Sequence, residues 1–162
     1  MKLHEYINGV NKTWHKADGL KELAHCRLGA VKEIGSLAGW HNKRLSYGVP
    51  DSIVRPGLKE AYGKLVYYIV KTSELAGCEG IIENRFEEVS ISGVDSLDVI
   101  SAIGGITEAS SILIQASFHS KEYHIQLTLM LDSLLAMIAY ERWELDDILY
   151  ESLAQADKDA GS

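Results

Sequence analysis

The sequence is poor in proline and cysteine, with only two of each among its 162 residues. Both prolines, Pro50 and Pro56, lie in one short stretch, so the residue that most strongly interrupts helices is missing elsewhere and long helices are expected. The cysteines, Cys26 and Cys78, lack a metal-ligand spacing, and we expect reduced, buried thiols. Basic residues number 16 against 23 acidic ones, a net charge of −7. This balance argues against a nucleic-acid binder, which needs a clustered basic face.

The sequence predicts neither a secretion signal nor a membrane span. The opening segment MKLHEYINGVNKTWHK contains no apolar stretch of the kind that a signal peptide needs. The segment 123–140 is largely apolar, but it carries His124, Thr128 and Asp132, so a buried helix of a globular core is the better interpretation. We therefore expect a cytoplasmic protein that has no membrane partner.

Apolar residues recur at spacings of three and four along most of the chain, which indicates amphipathic α-helices. The apolar stripes of four long helices extend over Leu20–Ala38, Leu58–Ile69, Val99–Ala116 and Leu127–Ile138. The proline-bounded segment SYGVPDSIVRPG is expected to be a loop between the first two long helices. Shorter helices are expected over residues 81–89 and after Asp146.

The order of these helices repeats along the chain. Residues about 20–90 run as long helix, loop, long helix and short helix, and residues about 97–158 follow the same order with a shorter loop. The matching phrases are LGAVKEIGSLAGW with IGGITEASSILIQA, and LVYYIVKTSELAGCEGIIENRFEEV with LLAMIAYERWELDDILYESLAQA. One helical hairpin cannot bury its apolar face alone. We therefore expect a single domain over residues 1–162 with a four-helix-bundle core and short flanking helices.

Two carboxylates of the second half stand isolated. No other formally charged residue lies within two helical turns of Glu108 or of Asp132. If buried, each acid has a desolvation cost unless it is paired. Both lie twelve residues from a turn expected near Ser120, so an antiparallel hairpin would place them at one level, about 18 Å from the turn. The arrangement predicts a cation site, a general acid/base pair, or a buried polar pair without function.

Four phrases of the sequence resemble the all-α NTP pyrophosphatases of the MazG and dimeric-dUTPase type: LHEYINGVNKT, LGAVKEIGSLAG, HNKRLSYG and LVYYIVKTSELAGCEGIIENRFEEV. The resemblance covers most of the first half and, more loosely, the second, so the chain looks like a tandem of MazG-like helical repeats. It implies a homo-oligomer. It also implies a site in which a G-E-x-G-E phrase and an E-x-x-D phrase on the next helix hold Mg²⁺, which binds a triphosphate and helps to activate water.

The first half departs from that ligand pattern. Glu33 matches the first glutamate, Ser36 replaces the second, and Ala61, beside Glu60, falls where the third acid is expected. Lys64 stands in place of the aspartate. Its ammonium group would supply the positive charge that the metal normally brings, so an ion pair between Glu33 and Lys64 is the alternative to a metal site.

The second half keeps more acid. Glu108 matches the first glutamate and Asp132 the aspartate, whereas Ser111 and Leu129 replace the other two acids. The predicted metal ligands of the chain are therefore Glu33, Glu108 and Asp132, which could hold one Mg²⁺ weakly together with a phosphate chain. The alternative is a protonated or serine-satisfied carboxyl pair left from a decayed site, since burial and a like charge both raise a carboxyl pKa.

Four further residues are candidate nucleotide contacts by the same resemblance. Asn84 falls where the family has an asparagine near the phosphates, and Lys43 could reach phosphate oxygens from a helix end. Trp40 could border a base pocket, and Lys64 could bind an anionic ligand directly. The simpler alternatives are a surface amide, a solvated basic turn and a core aromatic.

The depleted ligand set predicts a MazG-like pseudoenzyme that binds a nucleotide or a protein partner without efficient turnover. The alternative is an active Mg²⁺-dependent nucleoside triphosphate pyrophosphohydrolase that releases NMP and pyrophosphate. A third interpretation is a structural helical subunit of a larger assembly. The sequence contains neither a Walker-type phosphate loop nor a nucleophile-elbow phrase.

Overall fold

The computed structural model describes residues 1–14, 19–88, 98–115 and 120–161, and the predicted boundary between the two repeats lies outside these ranges. The described residues form helices and no β-strand, which confirms the all-α class. No helix within them is long and apolar enough to cross a membrane. The helices are α1 (Leu3–Thr13), α2 (Gly19–Ser46), α3 (Asp51–Leu75), α4 (Glu79–Glu88), α5 (Val99–Gln115), α6 (Lys121–Tyr140) and α7 (Leu145–Gly161).

The third helix, α3, begins earlier in the chain than predicted. α3 begins at Asp51, directly after its N-cap Pro50, and Pro56 lies inside the helix. The loop expected over SYGVPDSIVRPG is therefore much shorter, because Pro56 lies just past the first turn and removes only a single N–H donor from the helix. α3 ends at Leu75, and two residues later Gly77 adopts a φ of +69°, which is accessible to glycine at little cost. The amide of Cys78 then donates to the carbonyl of Ser73 at 2.9 Å, a Schellman-type end.

The four long helices pack as a bundle. α2 packs against α3 and α5 against α6, and the two hairpins meet through contacts of α2 with α5 and of α3 with α6. A cavity of about 20 Å³ is lined from all four helices, among others by Cys26, Ile69, Leu113 and Leu127. These positions place the start of α2 beside the end of α5, so neighbouring helices run antiparallel. The internal repeat itself stays a prediction.

The three remaining helices cover this bundle. α1 and α7 pack on α3 and on each other, and α4 lies against α3 and α6. A Cβ at Gly63 of α3 would lie 3.1 Å from the Cβ of Ser152 in α7, so the two helices approach closely here. The hydroxyl groups of Ser152 and Tyr6 are 2.7 Å apart, which links α1 to the same place.

A buried carboxylate joins three elements at one end of the bundle. Glu141, which follows α6, has a side chain only 4% exposed. Arg44 of α2 and Arg55 of α3 both donate hydrogen bonds to its carboxylate. Arg55 also donates to the carbonyl of Glu141 at 3.1 Å and lies 4.5 Å from the ring centroid of Trp143. The two guanidinium groups supply the partners that a buried carboxylate requires.

We expect Glu141→Ala to lower the free energy of unfolding by about 3 kcal/mol, because it removes the buried acceptor that Arg44 and Arg55 share and leaves Arg44 only its pair with Asp51. Urea unfolding of the variant measures the loss. Glu144→Ala makes the same chemical change at an exposed position and should cost less than about 0.5 kcal/mol. Equal losses in the two variants would show that the buried ion pairs do not stabilise this end of the bundle.

Candidate functional site

Glu33 lies on the face of α2 that packs into the bundle, together with Cys26, Ile34 and Leu37. The residue is only 4% exposed, because it falls in phase with these apolar neighbours on a 3.6-residue period. Burial raises the pKa of the Glu33 carboxyl, and the positive charges of Lys64 and Lys32 offset this only in part. The metal site at Glu33 and its alternative, an ion pair with Lys64, both stay predictions.

A cavity of about 130 Å³, which we call the Glu33 cavity, opens beside this carboxyl. It is lined by Lys32, Glu33, Lys64, Tyr67, Tyr68, Ser152, Gln155, Ala156 and Asp159. Helices α2, α3 and α7 all contribute to its wall. Burial raises the pKa of both tyrosines, so their hydroxyl groups stay protonated at neutral pH and can donate hydrogen bonds.

Lys64 is the cation of this site. Its Nζ lies 2.8 Å from Oε1 of Glu60, and its side chain is 30% exposed. Burial works against the charged ammonium, but the hydrogen bond to Glu60 and the charges of Glu60, Glu33 and Asp159 outweigh it and raise the pKa of Lys64. The group is therefore a positive charge within reach of a ligand in the Glu33 cavity.

A second cavity, of about 300 Å³, lies next along α3 and α7, and we call it the Lys158 cavity. It shares Lys64, Ser152 and Gln155 with the Glu33 cavity. The rest of its lining consists of Pro56, Lys59, Glu60, Gly63, Glu151, Ala154 and Lys158. We refer to the two cavities together as the α3–α7 groove.

The acids of the second half lie elsewhere and are not buried. Glu108 and Asp132 are both exposed, so the predicted desolvation of these carboxylates is wrong, and with it the burial that would favour a shared proton. Oδ1 of Asp132 lies 3.2 Å from Nε of Arg85 on α4. Over the described ranges, no group of three or more His, Cys, Asp or Glu residues is placed to hold a metal ion. The assignment of Glu33, Glu108 and Asp132 as Mg²⁺ ligands stays a prediction.

The other predicted nucleotide contacts do not line the groove as the structure describes it. Trp40 is half-buried and packs against the backbone of α3 at Gly57. The Nζ of Lys43 lies 4.1 Å from the centroid of the Trp40 ring, a cation–π contact at the end of α2. Asn84 is exposed on α4. Of the four predicted contacts, only Lys64 faces the groove.

The residues that sequence reasoning missed come mainly from α7. Glu151, Gln155 and Lys158 follow one another at spacings of four and three, so they share one face of the helix. That spacing was visible in the sequence, but nothing in it showed that this face meets Lys59 of α3. The contact is direct, since Nζ of Lys59 lies 2.6 Å from Oε1 of Glu151.

Comparisons of the chain with protein-family models, with curated proteins and with solved structures found no match. The likeness to MazG-like proteins therefore rests on the sequence phrases alone. A function has to be argued from the groove and its charges.

We expect Glu33→Gln to stabilise the protein at pH 7 but not at pH 4. Between the ordinary glutamate value near 4.3 and the raised pKa of Glu33, the folded state binds more protons than the unfolded state. Stability of the wild type therefore falls as pH rises through this window, and a neutral glutamine avoids the loss. Thermal unfolding midpoints from pH 4 to 7.5 measure the difference between variant and wild type.

The matched control for this experiment is Glu108→Gln, at an exposed position. Its difference from the wild type should not change with pH. A Glu33→Gln variant that becomes relatively less stable as pH rises would contradict the analysis. It would show that attraction to Lys64 exceeds the desolvation of the Glu33 carboxylate.

Proposed function

We propose that the protein binds a nucleotide in the α3–α7 groove without hydrolysing it. The observation that carries the proposal is that basic side chains of the protein act on two of the three acids expected to hold metal, Glu33 and Asp132. The charge of Lys64 acts on Glu33, and Arg85 lies 3.2 Å from Asp132. A MazG-like protein altered in this way has lost the free carboxylates that a divalent ion requires.

Electrostatics favours an anion over a cation beside Lys64. An ammonium and Mg²⁺ repel each other at short distance, whereas an ammonium donates strong hydrogen bonds to phosphate oxygens. The Lys64 pKa is raised, so the charge is present at neutral pH. A phosphate group can therefore be held here by the protein alone, without the metal that hydrolysis would need for activating water.

The size and lining of the groove fit a ligand with an aromatic ring and a charged end. The two cavities measure about 130 and 300 Å³, which together fall within the usual range for small-molecule sites, about 300–1,000 Å³. Tyr67 and Tyr68 offer ring surface in the Glu33 cavity, while their hydroxyl groups are hydrogen-bonded within the protein, to Thr13 and to His25 respectively. The amide of Gln155 lies in both cavities and provides a further donor and acceptor.

The first test is binding in the absence of metal. We expect one or more nucleoside triphosphates to bind in the presence of EDTA and to raise the thermal unfolding midpoint, as a ligand specific for the folded state must. Lys64→Gln should weaken binding about tenfold, because it removes one charge-assisted hydrogen bond. Calorimetric titration measures both affinities. Lys121→Gln, at an exposed lysine of α6, is the matched control and should bind like the wild type.

The alternative, an active Mg²⁺-dependent pyrophosphohydrolase, is tested in the same samples. Release of pyrophosphate from a nucleoside triphosphate is followed after Mg²⁺ is added. Turnover that disappears in Glu33→Gln or Glu108→Gln would contradict the proposal and establish the enzyme instead. Absence of nucleotide binding in both EDTA and Mg²⁺ would also contradict it.

Self-association is a separate proposal, which the surface of α2 and α5 supports. α2 exposes Leu28 and Val31, and the neighbouring α5 exposes Ile100 and Ile114. Several large apolar side chains exposed on adjoining helices are typical of an interaction surface. Sedimentation of the wild type at increasing concentration determines whether the protein forms the homo-oligomer that the sequence resemblance implies.

A further inference from the structure

We propose that the Lys158 cavity is a binding site for an oligophosphate group. Three lysines line it, Lys59, Lys64 and Lys158, against two acids, Glu60 and Glu151. The lining therefore carries one net positive charge on a chain whose formal net charge is −7. An oligophosphate bound at this place would be held by local contacts, because the overall charge of the protein repels polyanions.

Two of the three lysines of this cavity, Lys59 and Lys64, are less exposed than its acids, whereas Lys158 is exposed. The side chains of Lys59 and Lys64 are 23% and 30% exposed, whereas those of Glu151 and Glu60 are 60% and 55% exposed. The acids thus lie towards solvent, and the more enclosed part of the lining is basic. Solvent screens the negative charges more strongly than the positive ones, which favours an anion in the cavity.

The ammonium groups keep donors for a ligand. An ammonium group has three N–H donors. Lys59 directs one to Glu151 at 2.6 Å, and Lys64 directs one to Glu60 at 2.8 Å. Each can still donate to phosphate oxygens, and Lys158 adds a third cation from the opposite wall. Several phosphates in a row match this spread of donors better than a single carboxylate would.

The walls of the cavity are fixed before a ligand arrives. α3 and α7 meet at Gly63 and Ser152, where an added Cβ would have only 3.1 Å of space. The Ser152 hydroxyl is hydrogen-bonded to Tyr6 and to the carbonyl of Leu149. The ion pair of Lys59 with Glu151 spans the two helices. A preformed site avoids much of the ordering cost of binding.

This inference extends the proposed function, since the cavity belongs to the same groove, but it does not require a nucleoside. The phosphates can belong to a free inorganic chain or to the end of a larger ligand such as a nucleotide. Inorganic tripolyphosphate is therefore the direct probe, and a nucleoside triphosphate measured beside it distinguishes the two sources. A nucleoside triphosphate that binds much more tightly than tripolyphosphate identifies the larger ligand, and equal affinities identify the free chain.

The test is calorimetric titration of the full chain with tripolyphosphate in EDTA at low salt. We expect Lys59→Gln and Lys158→Gln each to weaken binding about tenfold, the effect of losing one charge-assisted hydrogen bond. The affinity should also fall as salt is added. Lys121→Gln, outside the cavity, should leave the affinity unchanged. Lys158→Arg keeps the positive charge and should bind nearly as tightly as the wild type, which a loss of folding would not produce.

The outcomes separate this inference from the proposed function. The inference is overturned if tripolyphosphate does not bind. It is also overturned if Lys59→Gln and Lys158→Gln bind tripolyphosphate as tightly as the wild type does. If nucleotides still bind in that case, the proposed function stands without it. A third outcome is that the protein binds tripolyphosphate, that both lysine variants weaken this binding, and that no nucleotide binds. This outcome supports the inference and overturns the proposed function.

Discussion

The contact between α3 and α7 is the constraint on which the rest of the site depends. Glycine at residue 63 favours the close approach of α7 to α3, since an added Cβ would lie 3.1 Å from the Cβ of Ser152, tighter than most such contacts. At this separation the Ser152 hydroxyl reaches Tyr6 of α1. The positions of Lys59 and Lys64 relative to Gln155 all follow from the same contact. The groove is thus a direct consequence of how the last helix packs.

Two buried carboxylates, Glu141 and Glu33, both have their negative charge offset by basic side chains of the protein. Burial of the Glu141 carboxylate is offset by Arg44 and Arg55, which come from two other helices. Glu33 is buried too, and the charges of Lys64 and Lys32 oppose the effect of burial on its pKa. A buried carboxylate needs a positive partner, whether a metal or a basic side chain. In both places the chain itself provides the basic side chain.

The sequence predicted the long helices because apolar residues recur at helical spacing, but it did not predict that Glu33 is buried. Glu33 falls on the same 3.6-residue period as the buried residues Cys26, Leu37 and His41. The same reasoning, applied to α5, would have avoided the error on Glu108. Its position is two residues from the buried Ile106, which on a helix turns it about 200° away from the core. A charged residue that stands alone in an apolar segment is unusual. Whether it is buried depends on which face of the helix carries it.

The groove could not be predicted in this way, because its contacts join residues that are far apart in the chain. The hydrogen bond of Tyr6 with Ser152 spans 146 positions, and the pair of Lys59 with Glu151 spans 92. Periodicity identifies the buried face of each helix but does not identify its neighbour. The groove combines α2 and α3 of the first half with α7 of the second, so neither half contains it alone. Reasoning from either half of the sequence alone could not assemble this groove, because its walls meet only in the packed chain.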